Sequence, residues 1–445
     1  MTGQVRAGQA IPALGLWRST ALVVGNMIGS GIFLLPASLA AYGGISILGW
    51  LFTTTGAVLL ALVFARLSRA APKTGGLYVY TRDTFGDFAG FVVAWGYWIS
   101  IWSGNAAIAT AFAGYVGVFF PPIARIPLLA GVAAAGAIWL FSWVNAAGVR
   151  TAGIVQLVTT LLKLLPLMVI GTLGFYFFNA GHFTPFNLSG ESPISAVTAT
   201  AALTLWAFLG LESATIPAEE VMDPRRTIPR ATMLGTLSAA AVYILGTMAV
   251  MGLISPAALG RSTAPFADAA SAMWGSWAAY AVAAGAAVSC MGALNGWILL
   301  QGQLPLAMAR DGLFPAVFSR LSKRGTPVAG IVIASVLATI LISMNYTKGL
   351  VNQFTFILLL STVTTLVPYV FCSAAELAHS LGGREGATRR SRPMRVLVPA
   401  LAFIYSLWAI SGAGRDTVYW GFLLLLGGIP VYVCNKRSAI RGRRF

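Results

Sequence analysis

Two apolar stretches of the sequence are interrupted by residues that weaken a membrane helix. The stretch GNMIGSGIF, residues 25–33, carries three glycines together with Asn26 and Ser30. The stretch LWAFLGLES, residues 205–213, carries Gly210 and Glu212. A break inside lipid frees backbone N–H and C=O groups, which is tolerated only where protein or a water-filled cavity receives them. We therefore expect both stretches to line a buried binding site.

The freed backbone groups indicate which kind of molecule this site would bind. N–H groups near Ser30 and Gly31 suit a carboxylate, helped by the positive end of the half-helix that follows. Carbonyl groups near Trp206 and Leu209 suit an ammonium group. Because an amino acid carries both groups, the two breaks favour an amino acid as ligand. Glycines that only permit close packing of membrane helices are the alternative interpretation.

Two ionisable side chains fall inside predicted membrane spans, and both are candidates for proton coupling. Glu212 is the one acid placed deep in a span, where an ionised carboxylate is expensive. Burial favours the protonated carboxyl group, so we expect Glu212 to respond to pH. Lys163, in TTLLKLLPL, is the basic candidate, and a lysine that snorkels to the membrane surface is its alternative interpretation.

Long apolar runs supply the helices that must position these residues. Of the 445 residues, 58% are hydrophobic and 9% are charged, against about 25% charged in soluble domains. Each run is near the ~20 residues that a spanning helix needs. We predict an all-α membrane protein with twelve transmembrane helices. They cover about residues 16–41, 45–70, 87–120, 126–147, 151–179, 194–218, 230–254, 272–304, 327–345, 350–378, 394–413 and 417–435.

The distribution of basic residues predicts the orientation in the membrane. The formal net charge of +17 would by itself suit nucleic-acid binding. Of the 29 Lys and Arg residues, Lys163 falls in a span and most others fall in loops on the side of the N-terminus. The exceptions, in the outer loops, are Arg125, Arg261, Lys348 and Arg415. Because cytoplasmic loops carry the positive excess, we expect both termini in the cytoplasm, no removable signal peptide, and contact with anionic lipid rather than nucleic acid.

Enzymes and metalloproteins need side chains that this sequence does not group together. The three cysteines lack the spacing of metal ligands; they are Cys290, Cys372 and Cys434. Of the two histidines, His182 falls in a predicted outer loop and His379 near the cytoplasmic end of a predicted span. We therefore expect no enzyme activity, no metal and no cofactor. An ion channel is also disfavoured, since the spans carry no rings of charge and are broken at matching positions.

Four motifs make the sequence similar to a known family of transporters. GNMIGSGIF, LWAFLGLES, DPRRTIPRA and DGLFP together resemble the amino acid–polyamine–organocation transporters, and especially the antiporters for basic amino acids and polyamines. The resemblance covers nearly the whole chain. It implies one domain, residues 1–445, with alternating access around a central site. Within it, two inverted five-helix repeats at about 16–179 and 194–378 precede two further helices at 394–435 and a basic tail at 436–445.

The resemblance also implies the residues of the substrate pocket. Tryptophans matching Trp206 and Trp297 line the substrate's side chain, and a cation over such a ring gains ~0.5–2 kcal/mol. Asn105 matches a polar site residue, Tyr97 a gating aromatic and Ser361 a substrate contact. The expected substrate-binding residues are Asn26, Met27, Ser30, Gly31, Tyr97, Asn105, Trp206, Leu209, Trp297 and Ser361, with Glu212 and Lys163 for proton coupling.

The expected function is secondary transport across the bacterial inner membrane. We expect an antiporter that exchanges arginine, ornithine or lysine for the corresponding amine, which is agmatine, putrescine or cadaverine. The alternative is a proton-coupled or exchanging transporter of neutral amino acids, because Lys163 resembles a lysine of such relatives. Trp297 and Asn105 favour the cationic substrate. The exact substrates, the proton stoichiometry and a homodimeric state stay open.

Overall fold

The structure, a computed structural model, is built almost entirely of α-helices. It describes residues 14–29, 31–70, 76–148, 164–215, 221–382 and 392–442. These ranges contain no β-strand, although one backbone bridge joins Leu14 to Val221. The prediction of an all-α membrane protein is confirmed.

The helices are numbered α1 to α18 in chain order. In the first half they are α1 Leu16–Met27, α2 Gly31–Leu39, α3 Ser46–Ala70, α4 Leu77–Phe85, α5 Asp87–Phe119, α6 Pro121–Arg125, α7 Pro127–Ala146 and α8 Leu164–Phe177. In the second half they are α9 Pro193–Leu205, α10 Pro224–Leu253, α11 Pro256–Leu259, α12 Pro265–Trp274, α13 Ser276–Arg310, α14 Val328–Asn345, α15 Leu350–Leu381, α16 Arg392–Ser411, α17 Arg415–Leu426 and α18 Gly428–Gly442.

Each of the twelve predicted spans overlaps a helix in the described ranges, and residues 151–163 of the fifth predicted span lie outside those ranges. Eight segments are long and apolar enough to cross a membrane, and α1 with α2 forms a ninth as a pair bent by 43°. Helix α5 has 33 residues, but its central WGYWISIWSGN is rich in residues of low hydropathy. Helices α8 and α9 are shorter apolar helices. The last predicted span, 417–435, is divided at Gly427 between α17 and α18.

The two longest helices, α5 and α13, form the centre of the bundle together with α15. Helix α5 packs against both of the others, and most of its residues are buried. Both α5 and α13 begin directly after a glycine with positive φ, Gly86 at +87° and Gly275 at +86°. A side chain at such a position is strained, so the glycines allow the chain to turn sharply into each helix. Helix α5 thus packs against both of the other long helices, and residues of all three line the site.

Both predicted helix breaks are present. Helix α1 ends at Met27 and α2 begins at Gly31. Helix α9 ends at Leu205, and the chain continues through the 3₁₀ turn Trp206–Phe208. Gly210 follows with φ +103°, a conformation that other residues rarely adopt. A Cβ atom added to Gly210 would lie 3.2 Å from Asn26, so the two breaks are in contact.

Charged side chains join the helices at one end of the bundle. Arg82 Nε donates to Asp87 Oδ1 at 2.9 Å, and Lys436 Nζ donates to Asp87 Oδ2 at 2.9 Å. Arg82 also reaches Asp311 Oδ2 at 3.3 Å, where the Tyr78 hydroxyl donates at 3.1 Å. The network connects α4, α5, α13 and α18. The DGLFP motif, which begins at Asp311, therefore has a structural contact in this fold.

Candidate functional site

A small cavity lies between the two helix breaks. The free volume open to water-sized molecules is about 40 Å³. It is bounded by the α1–α2 break, the 3₁₀ turn after α9, and α5, α13 and α15. Of the predicted substrate-binding residues, the cavity brings together Asn26, Met27, Gly31, Tyr97, Trp206, Leu209, Trp297 and Ser361.

Two predicted residues, Ser30 and Lys163, lie outside the described residues. Asn105 is described and fully buried, but it does not line the cavity. Its side chain instead donates from Nδ2 to Gln301 Oε1 at 2.7 Å. The roles of Ser30 and Asn105 in substrate binding, and that of Lys163 in proton coupling, stay predictions.

The buried indole ring of Trp206 forms one wall of the cavity. It packs against the backbone of Gly31, and a Cβ atom added there would overlap the ring. The ring also meets Phe354 at 90°, with centroids 5.7 Å apart. Gly31 in the GNMIGSGIF stretch therefore leaves the space that Trp206 occupies. By contrast, a Cβ atom on Gly29 would meet Ala293 Cβ at 3.4 Å, an ordinary contact.

The cavity has a polar rim but no charge among its described lining residues. Ser361 Oγ donates to the Ser100 carbonyl at 2.8 Å, which ties α15 to α5. Trp297, half-buried on α13, supplies a second indole. A cationic ligand would therefore meet aromatic faces and carbonyl oxygens rather than a carboxylate.

Glu212 lies beside the second break and is fully buried. Its Oε1 accepts a hydrogen bond from the Tyr97 hydroxyl at 2.5 Å, and its Oε2 accepts one from the Tyr369 hydroxyl at 2.7 Å. The Gly210 N–H donates to Oε2 at 3.3 Å. These donors stabilise an ionised carboxylate against the effect of burial. Through them, Glu212 connects the second break to α5 and α15, and Tyr97 also lines the cavity.

The second break has its own backbone partners. The Tyr243 hydroxyl, from α10, donates to the Ala207 carbonyl at 2.9 Å. Within the turn, the Leu209 N–H donates to the Trp206 carbonyl at 3.1 Å. Buried backbone groups freed from a helix need such partners. The break is therefore stabilised by neighbouring protein.

Sequence reasoning missed Tyr369 and Gln301. Tyr369 lies two turns beyond Ser361 on α15, so the helical period places both residues on the same face of that helix. Its contact with Glu212 joins residues 157 positions apart, which no local pattern reveals. Gln301 is a fully buried amide within a predicted span, and a buried polar side chain of that kind needs partners.

In the described part of the chain, no three His, Cys, Asp or Glu side chains are grouped so as to hold a metal ion. The chemistry available at the cavity is therefore recognition by backbone groups, amides, hydroxyls and aromatic rings. Glu212 adds one carboxyl group that is able to exchange a proton.

Comparisons with known proteins agree with this architecture. A sequence model of the amino acid permease family matches residues 14–424. The cadaverine/lysine antiporter of Escherichia coli (strain K12) is 35% identical over 422 residues, which cover 93% of each chain. The putrescine transporter PotE of Haemophilus influenzae is 32% identical over 420 residues, 94% of this chain and 96% of that protein.

A solved structure with a similar fold is the manganese transporter of Eremococcus coleocola. It superposes with a TM-score of 0.61 and covers 95% of this chain and 94% of that chain. The sequence identity is 15%, so the likeness concerns the fold alone.

Proposed function

Since this chain belongs to the amino acid permease family, we propose that it is an antiporter that exchanges a cationic amino acid for its decarboxylated amine. It is a transporter of amino acids or polyamines, a multi-pass protein of the inner membrane and not an enzyme. The proposed pairs are lysine with cadaverine, ornithine with putrescine, and arginine with agmatine. The names of the relatives support the first two amines.

The observation that carries the proposal is the cavity between the two helix breaks. Asn26, Met27 and Gly31 of the first break line the same space as Trp206 and Leu209 of the second break. Trp206 and Trp297 supply the aromatic faces on which a cationic side chain would lie. Glu212, held by Tyr97 and Tyr369, would couple exchange to protons. Lys163 stays a second candidate for that role.

Neutral amino acids are the alternative substrates. The uncharged lining of the cavity in the described residues favours them, because a zwitterion needs no counter-charge for its side chain. The aromatic faces of Trp206 and Trp297, together with the unsatisfied amide oxygen of Asn105 nearby, favour cationic substrates more strongly. The orientation with both termini in the cytoplasm, the two inverted repeats, the contact with anionic lipid and a homodimer also stay predictions.

Counterflow into proteoliposomes tests the proposal. Vesicles loaded with unlabelled lysine, ornithine or arginine are given labelled lysine, ornithine, arginine, cadaverine, putrescine or agmatine outside. Alanine, serine and leucine form the comparison set, and vesicles without protein give the background. We expect saturable exchange of the cationic set. Movement of the neutral set alone would contradict the proposal and favour the alternative.

Trp297→Leu is expected to weaken the binding of a cationic substrate by about 1–2 kcal/mol, because the indole face attracts the cation. Isothermal titration calorimetry of the detergent-solubilised protein measures the change. The matched control is Trp277→Leu, which alters a largely exposed tryptophan on the same helix, α13. An unchanged affinity in the Trp297 variant would remove this residue from the proposed site.

A further inference from the structure

A buried polar network lies behind the cavity wall, between α5, α13 and α14. At its centre is Gln301, which is fully buried. Its Nε2 group donates to the Ile331 carbonyl at 3.1 Å and to Ser335 Oγ at 2.9 Å. Its Oε1 atom accepts from Asn105 Nδ2 at 2.7 Å. The proposed transport mechanism above makes no use of Gln301.

The network fixes which way both amide groups point. The backbone carbonyl of Ile331 accepts hydrogen bonds and cannot donate, so the Gln301 NH₂ group must face α14. Gln301 Oε1 must then face α5, where it needs a donor. Asn105 meets that need only through Nδ2. One backbone carbonyl on α14 thus determines the orientation of a side chain on α5.

The backbone at Gln301 is held in place as well. Pro305, four residues further along α13, has no N–H, so the Gln301 carbonyl lacks its usual helical donor. Trp98 Nε1, from α5, donates to that carbonyl at 3.0 Å. Gln301 is therefore anchored to α5 through its backbone and through its side chain. Such an anchor limits the rotamers open to the side chain.

The orientation leaves one buried acceptor unsatisfied. Asn105 is fully buried, and its Oδ1 atom has no hydrogen-bond partner in the described structure. Asn105 lies one turn from Ile101 and Ile108 on α5, and both of these line the cavity. Buried amide oxygens nearly always have a partner, so this acceptor is available to a donor that the described structure does not contain.

We propose that Gln301 is a positioning residue that sets the preference of the site for a cation. By holding Asn105 through Nδ2, it directs Oδ1 to the side-chain ammonium or guanidinium group of the ligand. The opposite orientation would present N–H donors, which repel a cation. A carbonyl oxygen attracts the cation without a second buried carboxylate in the membrane. The contact forms when the cavity, about 40 Å³ in this conformation, enlarges around a ligand.

The inference rests on the proposed function. It is tested by the selectivity of ligand binding, which is measured without transport. The experiment compares the dissociation constants of lysine and norleucine, which differ by the terminal ammonium group. In Gln301→Leu, Asn105 loses its acceptor and is free to turn over. We expect the preference for lysine over norleucine to fall about tenfold, with norleucine affinity retained. Gln301→Met, closer in length, replaces the leucine variant if that variant fails to fold.

Two further variants separate positioning from a general role in packing. Ser335→Ala removes one acceptor of the Gln301 NH₂ group, but the Ile331 carbonyl still fixes the orientation, so the preference should stay unchanged. Gln301→Glu keeps an oxygen for Asn105 Nδ2 and should retain the preference for lysine. Both variants also disturb the packed network. If Gln301 served only packing, the preference for lysine would therefore fall in Ser335→Ala and Gln301→Glu as well as in Gln301→Leu.

The decisive measurement is a double-mutant cycle with Asn105→Asp. An aspartate presents an oxygen in either orientation, so adding Gln301→Leu to it should leave the lysine preference unchanged. An equal loss of lysine and norleucine affinity in Gln301→Leu, or a Gln301 effect that persists in the aspartate background, would overturn the inference. If the unaltered protein prefers none of lysine, ornithine and arginine over norleucine, the proposed function fails instead.

Discussion

Replacing Glu212 by glutamine is expected to make the rate of exchange nearly independent of pH, whereas replacing it by leucine is expected to abolish exchange. In the structure both carboxylate oxygens accept hydrogen bonds from tyrosines on other helices. Protonation removes the negative charge that strengthens these two bonds. We therefore expect the unaltered protein to exchange faster as the pH falls, because the contacts of the second break with α5 and α15 loosen.

The two substitutions differ in what they leave for the tyrosines. Glutamine keeps a carbonyl oxygen for one hydroxyl and an NH₂ group for the other, so the fold should survive while the titrating group is lost. Leucine leaves two buried hydroxyl groups without an acceptor, at about 1–3 kcal/mol each. Thermal unfolding in detergent should detect that loss of stability.

Exchange in proteoliposomes between pH 5 and 8 provides the measurement. Glu376→Gln is the matched control, since Glu376 is a buried acid on α15 that is not part of the cavity lining. We expect the control to keep the native pH profile. A Glu212→Gln variant whose profile follows that of the unaltered protein would show that another group senses the proton.

Gly31→Ala is expected to displace Trp206 and to weaken ligand binding at least about tenfold. The new Cβ atom would overlap the indole ring, and overpacking of a filled interior costs about 1–3 kcal/mol. The ring also contacts Phe354, so a displacement of the ring would disturb that contact as well. The expected result is a shift in tryptophan fluorescence together with the lower affinity.

Gly29→Ala is the control for this second prediction. Gly29 lies in the same break and lines the same cavity, but its added methyl group meets Ala293 at an ordinary distance. We expect near-native binding in this variant. If ligand affinity fell equally in Gly29→Ala and Gly31→Ala, the cause would be a need for glycine in the backbone of the break. The contact of Gly31 with Trp206 would then not explain the loss.

The helix breaks were predictable from the sequence because their cause is local. Glycines near residue 29 and around Gly210, within long apolar runs, conflict with an unbroken membrane helix. The apolar runs likewise predicted an all-α membrane protein. The division of the last span at Gly427 was not predicted, since glycines such as Gly427 and Gly428 in an apolar run are as often packing residues.

The partners of the buried polar groups were not predictable in the same way. Membrane burial of Glu212 implies that donors must be near it, but Tyr369 lies 157 positions away in the sequence. Asn105 was expected to contact substrate, but its hydrogen bond with Gln301, 196 positions away, was not expected. Which donor meets which acceptor depends on how the helices pack. The period of 3.6 residues shows which side chains share a face of one helix, but it does not show which helix that face contacts.

The contact between Gly210 and Asn26 has a mechanical consequence. Helix α1 extends from Asn26 at this contact back to Leu16, which is about 15 Å at 1.5 Å per residue. A tilt of about 10° about that point would carry the far end of the helix roughly 3 Å. A ligand held at this pivot thus acts where small displacements are amplified along both half-helices, so a molecule the size of an amino acid is large enough to tip them.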